Sequence, residues 1–313
     1  MSAFHSKVSQ LSEYELQMIS VWEHTKRVSK RMTKQPSPAI KYDIDKLLNK
    51  CSNEYKCLNE SPLQSGVNEI IESLTSLHLQ DKKVKQEKNE NENEQQEMNK
   101  IKHSNPVIDV EDADTFQLAA QYVNEYKLNP LVLNMASDFK PGGGVKNGRT
   151  AQEEVLFRCS NAHITHEEKL YPLTSTDILY SAHVTVLKEK DYTLLKKPFQ
   201  VGMVSCAALR RPEVTMNMNS SKYKHVKDME LMRRKIYAMF ELAILYKHDA
   251  LVLGAFGGGV FRNPSFQVAE LFQDAIKIYG RHFKRIGFAV LVVQKPRDQL
   301  NLLAFKPLVH LFI

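Results

Sequence analysis

The chain has 313 residues, 42% of them apolar, with a formal net charge of +7 and a pI near 9.0. That length suits one large domain or two ordinary ones, and the charge favours polyanionic partners such as nucleic acid, an anionic surface or a phosphate-rich polymer. Four cysteines without a C-x-x-C pair exclude a disulfide scaffold, and no run approaches the roughly 18 apolar residues of a membrane helix.

Residues 1–80 carry short amphipathic helical patterns, such as YDIDKLLNKCSNEYKCL and GVNEIIESLTSL, and read as a helical N-terminal extension. Its first residues lack the apolar core of a secretory signal, so an intracellular protein, cytoplasmic or nuclear, is expected. The basic cluster KRVSKRMTK (26–34) reads first as a solvated helix face, with a targeting or polyanion patch as its rival. Residues 81–105 are nearly free of apolar side chains and rich in Lys, Glu, Asn and Gln. Such a segment buries too little surface to offset its chain entropy, and reads as a charged low-complexity linker.

From residue 106 to 313 the pattern is that of one α/β domain. PVIDV is a strand, and DADTFQLAAQYVNEY a helix with Asp112 or Asp114 as its cap. PLVLNMA, FQVGMVSCAAL, ALVLGAF and RIGFAVLVV are buried strands, while DMELMRRKIYAMFELAILYKHD and NPSFQVAELFQDAIKIY have helical spacing. Alternating strands and helices predict a three-layer α/β fold around a mainly parallel sheet. The long connection over 163–197 leaves the strand order open.

Ligands of such sheets bind beyond the C-terminal ends of strands, where both glycine clusters lie. Gly142, Gly143 and Gly144 follow PLVLNMASDFKP; Gly254, Gly257, Gly258 and Gly259 end or follow ALVLGAF. Glycine permits positive φ and close approach to backbone N–H groups, so the two runs together predict a diphosphate site. Asn263 is expected to cap the helix after the second run, with Pro264 at its first position. Neither run matches the P-loop or the dinucleotide fingerprint.

Eight residues past the first run stand Gln152, Glu153 and Glu154. Two readings apply. Thr150 and Glu153 have the spacing of a capping box, and acidic residues suit a first helical turn. Alternatively, one carboxyl acts as acid/base while its neighbour holds a hydroxyl pair, with the glycine loop positioning a sugar diphosphate. Adjacent side chains point apart, so the two glutamates do not flank one bond from opposite sides.

GGGVKNGRTAQEE resembles the GGG-x(6–8)-QEE signature of microbial-type poly(ADP-ribose) glycohydrolases. LVLNMASDFKPGGGV and ALVLGAFGGGVFRN are similar to that family's loop segments, and the resemblance spans about residues 105–293. It implies a macrodomain-like fold, release of ADP-ribose from ADP-ribose polymers, and neither cofactor nor metal. It further implies that Glu154 is the acid/base, that Glu153 holds ribose hydroxyls and that Gln152 shapes the site. Gly142, Gly143 and Gly144 would lie along the diphosphate and ribose. Gly257, Gly258, Gly259 and Val260 would form the second phosphate loop, and Phe261 would pack by the terminal ribose. Ser137 stands at a substrate-facing position where the family has Asn or Ser. Met135 replaces the family's usual Phe, and Phe256 and Gly258 replace its frequent Trp and Cys, which bear on substrate preference.

His163 and His166 form H-x-x-H without an evident third ligand, so no metal site is expected. Tyr171, Tyr180 and Tyr223 are candidates for adenine stacking, with surface packing as the plainer role. Arg210 and Arg211 end a strand on the ligand-facing side, suited to a phosphate contact or to a surface role. Hydrolysis of ribose–ribose bonds is the leading function. Removal of single ADP-ribose units from proteins and non-catalytic ADP-ribose binding are its rivals. Direct nucleic-acid binding has no motif behind it.

Overall fold

In a computed structural model, residues 12–32, 36–56, 105–217, 220–293 and 296–312 are described. The patterns GVNEIIESLTSL and 81–104, with the boundary at residue 80, lie outside them. The chain divides into two compact units, residues 1–48 with 103–313, and residues 49–102; all that follows concerns the first.

Helix α1 (Glu13–Met32) turns a stripe of Met18, Trp22, Thr25 and Ser29 inward, at spacings of four, three and four. Arg27, Lys30 and Arg31 of its basic cluster are exposed, as a solvated helix face requires. Strand β1 (Ile40–Asp43) and helix α2 (Ile44–Lys56) follow. After residue 105 come β2 (Val107–Glu111), α3 (Thr115–Asn124) and β3 (Pro130–Met135). Asp114 caps α3 by accepting from the Phe116 N–H at 2.8 Å. The glycine run then leads to α4 (Gln152–Cys159) and the short α5 (Ala162–Thr165).

A long strand, β4 (Asp177–Lys188), fills most of the connection whose order was open, and it pairs antiparallel with β5 (Leu194–Cys206), which contains the expected FQVGMVSC. A hairpin of β6 (Val214–Asn217) and β7 (Ser220–Tyr223) precedes α6 (Val226–Leu245). The chain continues through β8 (Ala250–Leu253), α7 (Ser265–Tyr279), β9 (Arg285–Ala289) and α8 (Pro296–Phe305).

Seven strands form one sheet in the order β1-β4-β5-β3-β8-β9-β2. The five from β5 to β2 run parallel, and β4 and β1 add antiparallel pairs at one edge. In-register Met203, Val132 and Val252 join Phe116, Leu118, Leu156 and Phe157 of α3 and α4 in one core. Successive strand residues face opposite sides, so Leu131, Leu133, Leu251 and Leu253, all buried, serve the other face. Both faces are covered, which explains the uninterrupted apolar runs.

This topology brings three loops to one end of the sheet. They follow the adjacent parallel strands β5, β3 and β8 at residues 207–211, 136–144 and 254–263. Helix α1 belongs to the same unit and packs on α4: the Thr25 hydroxyl donates to the Arg158 carbonyl at 2.5 Å, and Arg158 Nε donates to the Met18 carbonyl at 3.1 Å.

Candidate active site

The first glycine run and α4 are built against each other. Gly142 and Gly143 have φ of 68° and 51°, values that favour glycine. A Cβ on Gly143 would lie 2.6 Å from Glu154 Oε1 and 2.9 Å from Glu153 Oε2; one on Gly142 would lie 2.6 Å from the Phe157 ring. The glycines leave room for two carboxyl groups and the ring behind them.

Those carboxyls also take the loop's N–H groups. Glu153 Oε2 accepts from Ser137 N at 2.7 Å and its Oε1 from Gly142 N at 3.1 Å, while Glu154 Oε1 accepts from Gly144 N at 2.7 Å. Gly143 N donates to the Lys140 carbonyl. Three consecutive amides thus have protein acceptors, so this run is a clamp on the carboxylates rather than the open anion nest expected of it. The capping box also does not form. Ala151 is the N-cap of α4 and makes no side-chain cap bond, because Glu153 is turned to the loop instead of to Thr150.

The neighbours differ in what remains to them. Both are buried, Glu153 at 4% and Glu154 at 7% exposure, yet both oxygens of Glu153 are engaged whereas Glu154 Oε2 has no partner among the described residues. Burial pushes the Glu153 carboxyl up to about 8, with the Glu154 charge adding to the rise; the N–H donors of Ser137 and Gly142 oppose it. Gln152 is a backbone clip. Its Oε1 accepts from Met135 N at 2.9 Å, and its Nε2 donates to the Leu133 carbonyl at 2.7 Å, which ties the start of α4 to β3.

The loop after β8 is different. Gly258 N donates to Ala255, but the N–H groups of Gly257, Gly259, Val260 and Phe261 have no acceptor among the described residues. Gly259 is exposed with nothing within 4 Å of where a Cβ would stand, and Val260 is 68% exposed. Open successive amides of this kind make an anion-binding concavity. The loop is held from beneath. Asn263 does not cap α7, whose N-cap is Pro264; its Nδ2 donates to the carbonyls of Leu209 (2.8 Å) and Gly257 (3.2 Å), and its Oδ1 accepts from the Tyr223 hydroxyl. A Cβ on Gly258 would meet Asn301 Oδ1 at 2.7 Å, so α8, beyond the stretch that motifs reached, closes the loop's underside.

Of the tyrosines, Tyr223 supports Asn263, and Tyr180 stacks on Tyr246 at 3.6 Å with its hydroxyl on His248. Tyr171 lies near enough for the Glu153 charge to help burial raise its phenol, and its hydroxyl has no partner among the described residues. His166 is fully buried, hydrogen-bonded to Ser205 Oγ, which in turn accepts from Asn134 Nδ2; burial lowers the imidazole to about 4. His163 packs edge-on against Trp22. No group of His, Cys, Asp or Glu among the described residues could hold a metal ion, and no helix among them is long and apolar enough to cross a membrane.

Sequence reasoning missed an ion pair between the loops after β5 and β3. Arg210 donates from Nε to both Asp138 carboxylate oxygens, at 2.8 and 3.1 Å, and from Nη2 to Oδ1. Its guanidinium carbon lies 4.4 Å over the Phe261 ring. Arg210 had been singled out, but its partner is 72 residues away and no local spacing signals it.

Residues 41–189 match the family model described as microbial-type PARG, catalytic domain. The fold is similar to that of poly(ADP-ribose) glycohydrolase from Thermomonospora curvata, at 21% identity and a TM-score of 0.64, covering 93% of this chain and 99% of that one. It is also similar to poly(ADP-ribose) glycohydrolase from Deinococcus radiodurans in complex with ADP-ribose, at 25% identity and a TM-score of 0.57, covering 70% and 90%. No curated protein matches the sequence.

Proposed function

We propose that this chain, taken as a member of the microbial-type poly(ADP-ribose) glycohydrolases, hydrolyses the ribose–ribose O-glycosidic bond of poly(ADP-ribose) and releases ADP-ribose. One observation carries the assignment of roles: of two adjacent buried glutamates, Glu153 spends both oxygens on loop amides, and Glu154 keeps Oε2 uncommitted.

Glu154 is then the acid/base. The two adjacent buried carboxyls hold one proton between them, and Glu154 Oε2 delivers it to the leaving ribose oxygen as the C1–O bond breaks and positive charge grows at the anomeric carbon. A water oxygen bonds to C1, and its proton returns to the same carboxylate, so the group ends as it began. Glu153, fixed by Ser137 and Gly142, takes ribose hydroxyls on its remaining lone pairs. Gln152 holds α4 in register with β3, and Gly143 and Gly144 keep the carboxyls in place. The diphosphate lies on the open amides of Gly257, Gly259, Val260 and Phe261, with Gly258 packed on Asn301 beneath. Holding the diphosphate fixes the scissile bond over Glu154, and positioning of this kind lowers the barrier as much as the proton transfer does.

The test is to incubate the protein with poly(ADP-ribose) and, separately, with a mono-ADP-ribosylated protein, and to identify the products of each. Free ADP-ribose from the polymer with the single adduct intact is the expected result. Release from the single adduct alone would assign the site to mono-ADP-ribosyl hydrolysis.

A further inference from the structure

The two glycine loops belong to different strands, and α4 positions only the first. Their strands, β3 and β8, pair in the sheet, and beyond the strand ends the segment 209–211, after β5, touches both loops. Its backbone is sewn to the second loop: Arg211 N donates to the Phe261 carbonyl at 2.7 Å, and the Leu209 carbonyl accepts from Asn263 Nδ2 at 2.8 Å. Its side chain reaches the first loop, where Arg210 forks onto Asp138, the residue next to the Ser137 amide that holds Glu153. The Asp138 carbonyl is fixed in turn by Leu173 N at 2.7 Å. Arg211 has a φ of 47°, unusual for a residue with a Cβ, and such strain persists where surrounding contacts over-determine the backbone.

We propose that Arg210 is a positioning residue that bridges the two loops, fixing the carboxylate loop against the diphosphate loop and holding the Phe261 ring under its guanidinium. This rests on the reading of the site as an ADP-ribose site. A planar cation does two things here that an ammonium cannot: it binds a carboxylate with two parallel donors and lies face to face with an aromatic ring. Arg210 and Asp138 are partly exposed, at 51% and 38% of their side chains. Exposed pairs add little to stability, so a bridge of this kind acts on geometry more than on folding.

The experiment measures ADP-ribose affinity by calorimetry and polymer hydrolysis kinetics for Arg210→Gln, Arg210→Lys, Asp138→Asn and the double variant Arg210→Gln/Asp138→Asn, with melting temperatures. Each single variant, Lys included, is expected to weaken ADP-ribose binding and raise KM about tenfold with kcat little changed, and the double variant to be no worse than the singles, as for residues that act through each other. Melting temperatures should stay near that of the parent chain. Additive losses, or full affinity in Arg210→Lys, would overturn the proposal, since charge alone would then suffice. The affinity arm separates this proposal from the assigned reaction. A parent chain that binds ADP-ribose but leaves polymer intact sinks the glycohydrolase assignment and leaves the bridge to be judged on affinity; one that does not bind ADP-ribose sinks both.

Discussion

Replacing either glutamate of the pair by glutamine should cost turnover, but only one of the two replacements should cost stability. In Glu154→Gln the amide oxygen still accepts from Gly144 N, and the NH2 falls where Oε2 had no partner. Fold and ADP-ribose binding should survive, while the proton needed at the leaving oxygen is gone; general acid–base catalysis is typically worth ~10²–10⁴-fold. In Glu153→Gln one of the two oxygens that accept from Ser137 and Gly142 becomes an NH2 donor facing a buried N–H. A buried donor left unsatisfied costs roughly 1–3 kcal/mol. Glu153→Gln should therefore lose stability as well as turnover, and Glu154→Gln only turnover. The assay is chemical denaturation of both variants beside polymer hydrolysis and ADP-ribose calorimetry. A stable Glu153→Gln together with an unfolded or fully active Glu154→Gln would refute the division of roles.

Gly143→Ala should abolish activity, because its Cβ would meet both carboxyl groups within 3.0 Å at a φ of 51°; near-parent hydrolysis would show that the carboxylates move freely. Gly259→Asp adds a negative charge where a Cβ meets nothing within 4 Å, so the fold should hold while ADP-ribose affinity drops; unchanged calorimetry would remove this loop from the diphosphate site. The Glu153 carboxyl has a folded value near 8 against an ordinary 4.5, so its contribution to stability is complete below 4.5 and is lost as pH rises to 8. The parent chain should lose up to about 1.4 kcal/mol per pH unit more than Glu153→Gln over that window, and equal slopes would show that the carboxyl is ionised throughout.

The parts of this fold that could be read in the sequence are those whose signal is apolar and local. Strands buried on both faces announce themselves as runs such as PLVLNM and ALVL, and the cap Asp114 sits where its helix begins. Strand β4 was missed because Ser181, His183, Thr185 and Lys188 interrupt its apolar pattern, several of them meeting polar partners in the interior. The placement of α1 on α4 joins Trp22 to Phe157 and adds bonds from Thr25 and Arg158 to backbone carbonyls, and neither contact has a local spacing that names its partner. In the site, the glycines and the QEE triplet stood out, but which amides were already taken could not. That depends on how α4 lies against its loop, and it reversed the expected likeness of the two glycine runs.

The docking of α1 also orders events in time. Thr25 and Arg158 are 133 residues apart, Met18 and Arg158 140, and Lys188 reaches Thr25 over 163. Closing a loop of that size costs about 4 kcal/mol of chain entropy before any contact rewards it. On this count the helix is expected to join after the sheet and α4 offer it a formed surface, and to be released before the sheet opens. An opening confined to α1 would uncover Trp22 and the buried Arg158, and take the support from the back of α4 while the sheet stayed closed. Such sub-global opening lies below complete unfolding in free energy. Under mild denaturant the amides of α1 should exchange with solvent before those of β3 and β8. Activity would be lost with them, ahead of any change in the bulk of the fold.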